Sequence, residues 1–362
     1  MKFSQSIKPL VARARRRKNL YGGVFSIAFL FFLASPAFAQ SDPSRERWSE
    51  IDAHLESMLK RHELDGLSLV VGWGDEVSYS RYLGKDAPET VRVAASATKL
   101  VTASVLLSLV ERGVIDLDEP AAEKLPHLKE QYPDITLRQM LAHTSGMGET
   151  HGLTHPHNIP FERSVMAMSI HVPVNRPGRK VSYGGAGFAT AGLLGVTSTG
   201  RAWHDLYDQY VASPLGLQDS YYTNPNAPAR RAGVRNPNLS GGMMVSSRDY
   251  QKLLAALTRD HRSLLKKRTL TEMFSLQFPE ADRSEMPGPI PDDGGTGLGV
   301  WCEKIRDDGS CGLVHSLGAY GALPWIDFDA EVYGILLLEG ESLRELLPDL
   351  RRLQEIVHQA TQ

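Results

Sequence analysis

The stretch Ala95-Ser96-Ala97-Thr98-Lys99, followed by Leu100-Val101-Thr102-Ala103-Ser104-Val105-Leu106-Leu107-Ser108-Leu109-Val110, decides how the chain is read. Ser96 and Lys99 are three residues apart, a spacing that stacks two side chains on one face of a helix, one turn apart. The residues after Lys99 are apolar with only small polar interruptions, and a helix apolar nearly all round is buried on all sides. Lys99 is therefore expected at the mouth of a core helix, where desolvation and the helix dipole work against an ammonium. A serine hydroxyl beside such an amine is the minimum for an activated nucleophile, with Lys99 as its general base.

Ser-x-x-Lys occurs twice more, at Ser57-Met-Leu-Lys60 and Ser263-Leu-Leu-Lys266. Glu56, Arg61, Arg262 and Lys267 flank those two, which read as solvated helix faces. Only the middle one opens a buried helix.

The N-terminus reads as an export signal. Lys2, Lys8, Arg13, Arg15, Arg16, Arg17 and Lys18 form a basic n-region, residues 22–33 a short apolar core, and Ala37-Phe38-Ala39 a cleavage site. The apolar run is shorter than the roughly 20 residues of a membrane span. Cleavage after Ala39 and a periplasmic or secreted protein are expected, with an uncleaved inner-membrane anchor as the alternative. Removing that leader leaves 33 basic and 42 acidic residues, a net charge of −9. Such a chain is a poor partner for nucleic acid or anionic lipid, and no other run reaches membrane length.

Cys302 and Cys311 lie nine apart in a chain read as exported, where an oxidising compartment favours a disulfide. A hairpin turning through residues 305–308 would set them opposite each other. Closing that loop would contribute about 2–3 kcal/mol in the chain-entropy model.

Residues 45–62 read as an amphipathic helix, with Ile51, Leu55, Met58 and Leu59 on one stripe. Residues 66–72 and 76–82 read as paired strands. Four more apolar runs between 299 and 339 read as consecutive antiparallel strands, and residues 343–359 as a terminal helix. Strands thus lie at both ends and helices in the middle. The economical fold is α/β (α+β): an antiparallel sheet flanked by helices, built from residues 45–116 and 233–362, with a helical lobe of residues 117–232 inserted. His143, His151, His155 and His157 raise a metal site, but no cysteine joins them and Pro156 and Pro160 mark plain loop, so neither metal nor cofactor is expected.

Six segments fall in one order: Ser96-Ala-Thr-Lys99, Leu141-Ala-His-Thr-Ser-Gly-Met147, Tyr183-Gly-Gly185, Pro214-Leu-Gly-Leu217, Ser240-Gly-Gly-Met-Met-Val-Ser-Ser247 and Gly318-Ala-Tyr-Gly-Ala-Leu-Pro-Trp-Ile-Asp327. Together they resemble the serine β-lactamase and penicillin-binding protein superfamily, in its class C and esterase-like branch. The resemblance runs from about residue 50 to 345. It implies a β-lactamase/transpeptidase-like fold and an acyl-enzyme on Ser96, with Lys99 as base. Tyr183 would pass protons, and the backbone N–H groups of Ser96 and Ala319 would form the oxyanion hole.

Two positions depart from the family pattern. Gly185 stands where the second motif often has Asn. At the third motif Gly318 matches the glycine, so Ser316 takes the basic position, and His315 falls one residue early, on the opposite face of a strand. A register shift or bulge would return His315 to the substrate-binding group of Gly185, Ser316 and Gly318. The expected activity is that of an exported serine hydrolase on a small ester, amide or peptide, with esters favoured because Ser316 carries no charge for a substrate carboxylate. The alternatives are a true β-lactamase or D-alanyl carboxypeptidase, and a catalytically silent binding protein on the same scaffold.

Overall fold

The computed structural model describes residues 43–149, 156–227, 232–259, 264–287, 290–340 and 342–362. The leader read from residues 1–39, His151, His155 and Ser263 lie outside these. Helix α1 (Pro43–Arg61) precedes strands β1 (Gly66–Trp73), β2 (Glu76–Gly84) and β3 (Val91–Val93). Helices α2 (Thr98–Glu111), α3 (Leu137–Leu141), α4 (Phe161–Met168), α5 (Ala186–Thr199), α6 (Trp203–Tyr207) and α7 (Ser213–Leu215) follow. The chain then runs through β4 (Tyr221–Tyr222), β5 (Met243–Ser246), α8 (Ser247–Thr258) and α9 (Lys267–Met273). It closes with β6 (Gly295–Thr296), β7 (Trp301–Ile305), β8 (Cys311–His315), β9 (Leu323–Asp327), β10 (Val332–Leu338) and α10 (Leu343–Thr361).

The main sheet has the order β2-β1-β10-β9-β8-β7-β6 with antiparallel pairing throughout. The N-terminal strand β1 pairs with β10, Leu67 opposite Leu338 and Val70 opposite Ile335, which is how both ends of the sequence enter one sheet. Strand alternation decides what each face touches. Leu67, Leu69 and Val71 join Ile51, Leu55 and Met58 of α1 and Leu350, Leu353 and Val357 of α10 in one apolar layer. Each of those fully buried α1 side chains contributes about 1.5–3 kcal/mol. Val70, Ile335 and Leu337 face the other way, into the core that holds α2, α5 and α8.

Helix α2 is buried from Thr98 to Leu109, as its composition requires. Helix α5 is equally apolar, buried from Ala186 to Gly195, and lies close on α2: a Cβ at Gly195 would come 3.1 Å from Leu109 and 3.2 Å from Leu106. A second sheet, β3-β5-β4, pairs Val93 with Met244 and Tyr221 with Met244. It ties the segment entering α2 to the segment after Ser240 and so positions the site.

Cys302 and Cys311 are disulfide-bonded, their Cα atoms 5.3 Å apart. The expected register is corrected. Cys302 pairs with Val314 and Ile305 with Cys311, and the turn is residues 306–310, because irregularities between Cys302 and Ile305 shift the ladder. Among the described residues, no helix is long and apolar enough to cross a membrane.

Candidate active site

Ser96 does not sit on α2 itself. It lies in a single 3₁₀ turn, Ala95–Ala97, that runs into the helix. Three residues complete a 3₁₀ turn, so positions three apart eclipse one another, and Ser96 is brought over Lys99 more squarely than an α-helix would bring it. Ala95 enters the turn at φ +45°, a left-handed conformation that costs a non-glycine residue energy and is retained where surroundings impose it. Those surroundings are explicit. Ala94 N–H donates to Met243 O at 2.9 Å, Met243 N–H donates to Thr98 Oγ1 at 3.1 Å, and Tyr250 of α8 donates to Ala97 O at 2.7 Å.

Lys99 is 5% exposed, yet its Nζ has three acceptors around it. Nζ donates to Ser96 Oγ at 3.2 Å, to Tyr183 Oη at 2.9 Å and to the Ser240 carbonyl oxygen at 2.8 Å. Tyr183 Oη lies 2.6 Å from Ser96 Oγ, so the serine, lysine and tyrosine close a triangle. Burial pushes the Tyr183 phenol up, but the Lys99 charge, the Lys99 hydrogen bond and the Ser96 hydroxyl outweigh it, and the net shift is below the ordinary value of 10. A phenol lowered this way beside a hydroxyl is an arrangement for proton removal.

Tyr183 is held by aromatic packing. Its ring centroid is 4.7 Å from His143 and 5.4 Å from Trp301, and His143 stacks on Trp301 at 5.4 Å. Burial first, and the Lys99 charge second, push His143 well below the usual imidazole range, so it packs as a neutral ring. Its φ of +57° turns the chain so that its carbonyl accepts from Ser182 N–H at 2.7 Å, next to Tyr183.

Gly185 is the residue before α5 and presents no amide to the triangle. Ser316 follows β8, and its hydroxyl donates to Ser96 O at 3.3 Å. Gly318 touches the Ser96 segment: a Cβ there would come 2.2 Å from Ala94 O. Ala319 is next in that turn and exposed. His315 is not brought to the site. Strand β8 keeps its alternation, which puts His315 beside Leu313 on the face that α1 and α10 cover. There its Nε2 is 3.4 Å from Glu303 Oε1. Burial, followed by the Arg351 charge, pushes His315 down to about 3. Burial pushes Glu303 up to about 7 against the pull of Arg351.

Of the other serine–lysine pairs, Ser57 accepts from Arg61 Nε on the exposed side of α1. No group of three or more His, Cys, Asp or Glu among the described residues could hold a metal ion. The sequence reading missed the Ser240 carbonyl and the ring stack behind Tyr183. Ser240 and His143 fall within segments that carried the resemblance and Trp301 falls outside them, and nothing in their spacing showed what they touch.

An antiparallel sheet backed by two terminal helices, with a serine–lysine turn opening a buried helix, defines the β-lactamase/transpeptidase fold. The chain belongs to the beta-lactamase family, whose sequence model matches residues 51–358. It is similar to Acyltransferase calJ of Penicillium decumbens, 27% identical over 268 residues covering 57% of this chain and 63% of that one. It is also similar to Monacolin J acid methylbutanoyltransferase of Aspergillus terreus, 31% identical over 180 residues covering 41% of this chain and 43% of that one. The chain thus matches less than two thirds of the length of these relatives. Among solved structures it shares its fold with EstCE1, described as a hydrolase with promiscuous acyltransferase activity, at TM-score 0.70 and 17% identity over 87% of this chain and 99% of that one. It shares it too with a penicillin binding protein from Bacillus halodurans, at TM-score 0.66 and 19% identity over 84% and 99%. The two sequence relatives are named as acyltransferases, and the structural likenesses show the shared fold.

Proposed function

We propose that the protein is an exported serine acyl hydrolase that works through an acyl-enzyme on Ser96 and prefers esters to β-lactams. One observation carries this reading: Lys99 donates to Ser96, Tyr183 and Ser240 O at once, with Tyr183 Oη 2.6 Å from the nucleophile. In this reading Tyr183, and not Lys99 as expected from the sequence, takes the Ser96 proton, and Lys99 supplies the charge that favours the phenolate. Ser96 Oγ attacks the acyl carbonyl, and the backbone N–H groups of Ser96 and Ala319 receive the oxyanion. Tyr183 returns the proton to the leaving alkoxide, and water then releases the acyl group by the same route.

Preference for esters follows from what the site lacks. A charge-assisted hydrogen bond to a substrate carboxylate contributes roughly 1.5–3 kcal/mol, and Ser316 supplies none. An ester without a carboxylate loses nothing by that. The names of the relatives favour a second outcome for the same intermediate, acyl transfer to an alcohol in place of water. The disulfide is consistent with an extracellular location.

The test is kcat/KM for p-nitrophenyl butyrate against a chromogenic cephalosporin. A higher value for the ester supports the assignment. A cephalosporin value equal or higher overturns it in favour of a β-lactamase, and no turnover of either favours a binding protein on this scaffold. Adding an alcohol and following ester products against free acid separates transfer from hydrolysis.

A further inference from the structure

Beside the site the chain exposes apolar side chains that a soluble domain normally covers. Ile170, Val172 and Val174 are 71%, 69% and 63% exposed, at every second position of the segment after α4, and Met166 on α4 is 41% exposed. Scattered surface apolar residues need no explanation, but a contiguous set beside a functional site marks an interaction surface.

This segment is fixed to the catalytic group at three points. Val174 N–H donates to Gly146 O at 2.9 Å, and Asn175 Nδ2 donates to Ser182 Oγ at 2.7 Å, one residue from Tyr183. Asn175 O packs against Gly146 so closely that a Cβ there would come within 2.1 Å of it. On the other side of the same loop, a Cβ at Gly184 would come 2.1 Å from Gly148 O. Whatever seats on Ile170, Val172 and Val174 is therefore held at a fixed offset from Tyr183.

Charge identifies the occupant. Residues 163–180 contain Arg163, Arg176, Arg179 and Lys180 and no Asp or Glu, with Glu162 at the start of α4 the one acid beside them, in a chain whose net charge is −2. Arg163, Arg176 and Arg179 are exposed. Lys180 pairs with Glu285 at 2.5 Å, and the three arginines form no ion pair among the described residues. A basic apolar surface on an acidic protein is complementary to an anionic bilayer, where apolar side chains enter the headgroup boundary and Lys/Arg stay at the phosphates. The whole-chain charge argues against lipid, but screening confines electrostatics to about a Debye length, so the local patch decides.

We propose that residues 163–180 are a docking edge for an anionic lipid surface, and that the natural ester is carried by a membrane-resident amphiphile whose polar end reaches Ser96. The substrate class rests on the acyl-hydrolase reading, whereas the docking does not.

The test reads the edge locally. Both native cysteines are in the disulfide, so Val172→Cys in the full chain offers one thiol for an environment-sensitive fluorophore. Val77→Cys on β2, 45% exposed in the wild type, is the reference position. Vesicles of equal parts phosphatidylglycerol and phosphatidylcholine should blue-shift the probe at 172 and raise its emission about two-fold or more, while phosphatidylcholine alone leaves it unchanged and the probe at 77 responds to neither. No response at 172, an equal response at 77, or an equal response to neutral vesicles overturns the docking edge. A fluorophosphonate adduct on Ser96 in the same labelled protein reports the catalytic reading separately. An adduct with a silent probe sinks the lipid edge alone; a responding probe without an adduct sinks the substrate class and leaves the edge standing.

Discussion

Gly318 and Ala94 are in backbone contact: a Cβ added at Gly318 would lie 2.2 Å from the Ala94 carbonyl oxygen. Ala94 is two residues before Ser96 and Gly318 one residue before Ala319, so in the proposed mechanism this contact sets the distance between the two oxyanion donors. Gly318→Ala must push the turn after β8 away from Ser96. Overpacking of this kind costs about 1–3 kcal/mol, and misplacing one donor is expected to lower kcat by at least about ten-fold. Thermal unfolding and kcat measured together check this. An alanine variant with wild-type kcat would remove Gly318 and Ala319 from the account.

Tyr183→Phe deletes one oxygen and keeps the ring that packs on His143 and Trp301. Folding should persist while kcat/KM falls about 10²–10⁴-fold, the range for a lost general base. The pH profile carries the sign. Lys99 is what holds the phenol below 10 against burial. In the wild type, kcat/KM should rise with pH through a pKa below 10. In Lys99→Ala any residual activity should have that limb displaced to higher pH, because burial alone raises a phenol. A limb unmoved by loss of Lys99 would assign the proton to another group.

Glu303 is poised for a stability measurement. Burial raises it from 4.5 to about 7, so the folded state favours the protonated acid. Its contribution is full below about pH 4.5 and is lost as pH rises through about 7, a change of roughly 3 kcal/mol at most. Glu303→Gln should therefore gain stability over wild type at pH 8 and gain little at pH 4. His315 has the opposite sign: held down at about 3 from 6.5, it loses its contribution as pH falls between those values. Denaturant titrations across this range test both, and a Gln variant with wild-type pH dependence would contradict the burial argument.

The neutral third motif makes a prediction that needs no mutation. A p-nitrophenyl ester with a terminal carboxylate on its acyl chain should be no better a substrate than the neutral ester of equal length, because Ser316 offers a hydroxyl and no charge. A site with a cation there would prefer the carboxylate by about ten- to a hundred-fold. Comparing kcat/KM for the two esters decides it, and a carboxylate preference of that size would mean a cation reaches the pocket.

How much of this was legible depended on distance along the chain. Ser96 and Lys99 are three residues apart and their pairing is local, so the spacing and the apolar run after it were enough. The α1 stripe and the strand alternation of β1 and β10 were equally direct. His315 was put on the far face by alternation alone, and β8 runs without the bulge that would have returned it. The third acceptor of Lys99, Ser240 O, lies 141 residues away, and only the pairing of β3 with β5 brings it there. The cysteine pair could be read from compartment and spacing, but its register could not, because irregularities in β7 leave no mark in composition. The left-handed turns at Ala95 and His143 were invisible for a related reason: neither is glycine, and tertiary contacts impose both.

Ser96, Lys99 and Tyr183 are proposed to act as one nucleophilic unit, and intact-protein mass spectrometry after a fluorophosphonate probe reads that unit at the serine itself. A single adduct mapped to the peptide containing Ser96 is expected. None is expected in Ser96→Ala or in the double variant, and labelling in Lys99→Ala should be slowed by orders of magnitude, because the serine is not a strong nucleophile without its activating partner. An adduct on Ser57, Ser240 or Ser316, or a Lys99→Ala variant that labels at the wild-type rate, would contradict it.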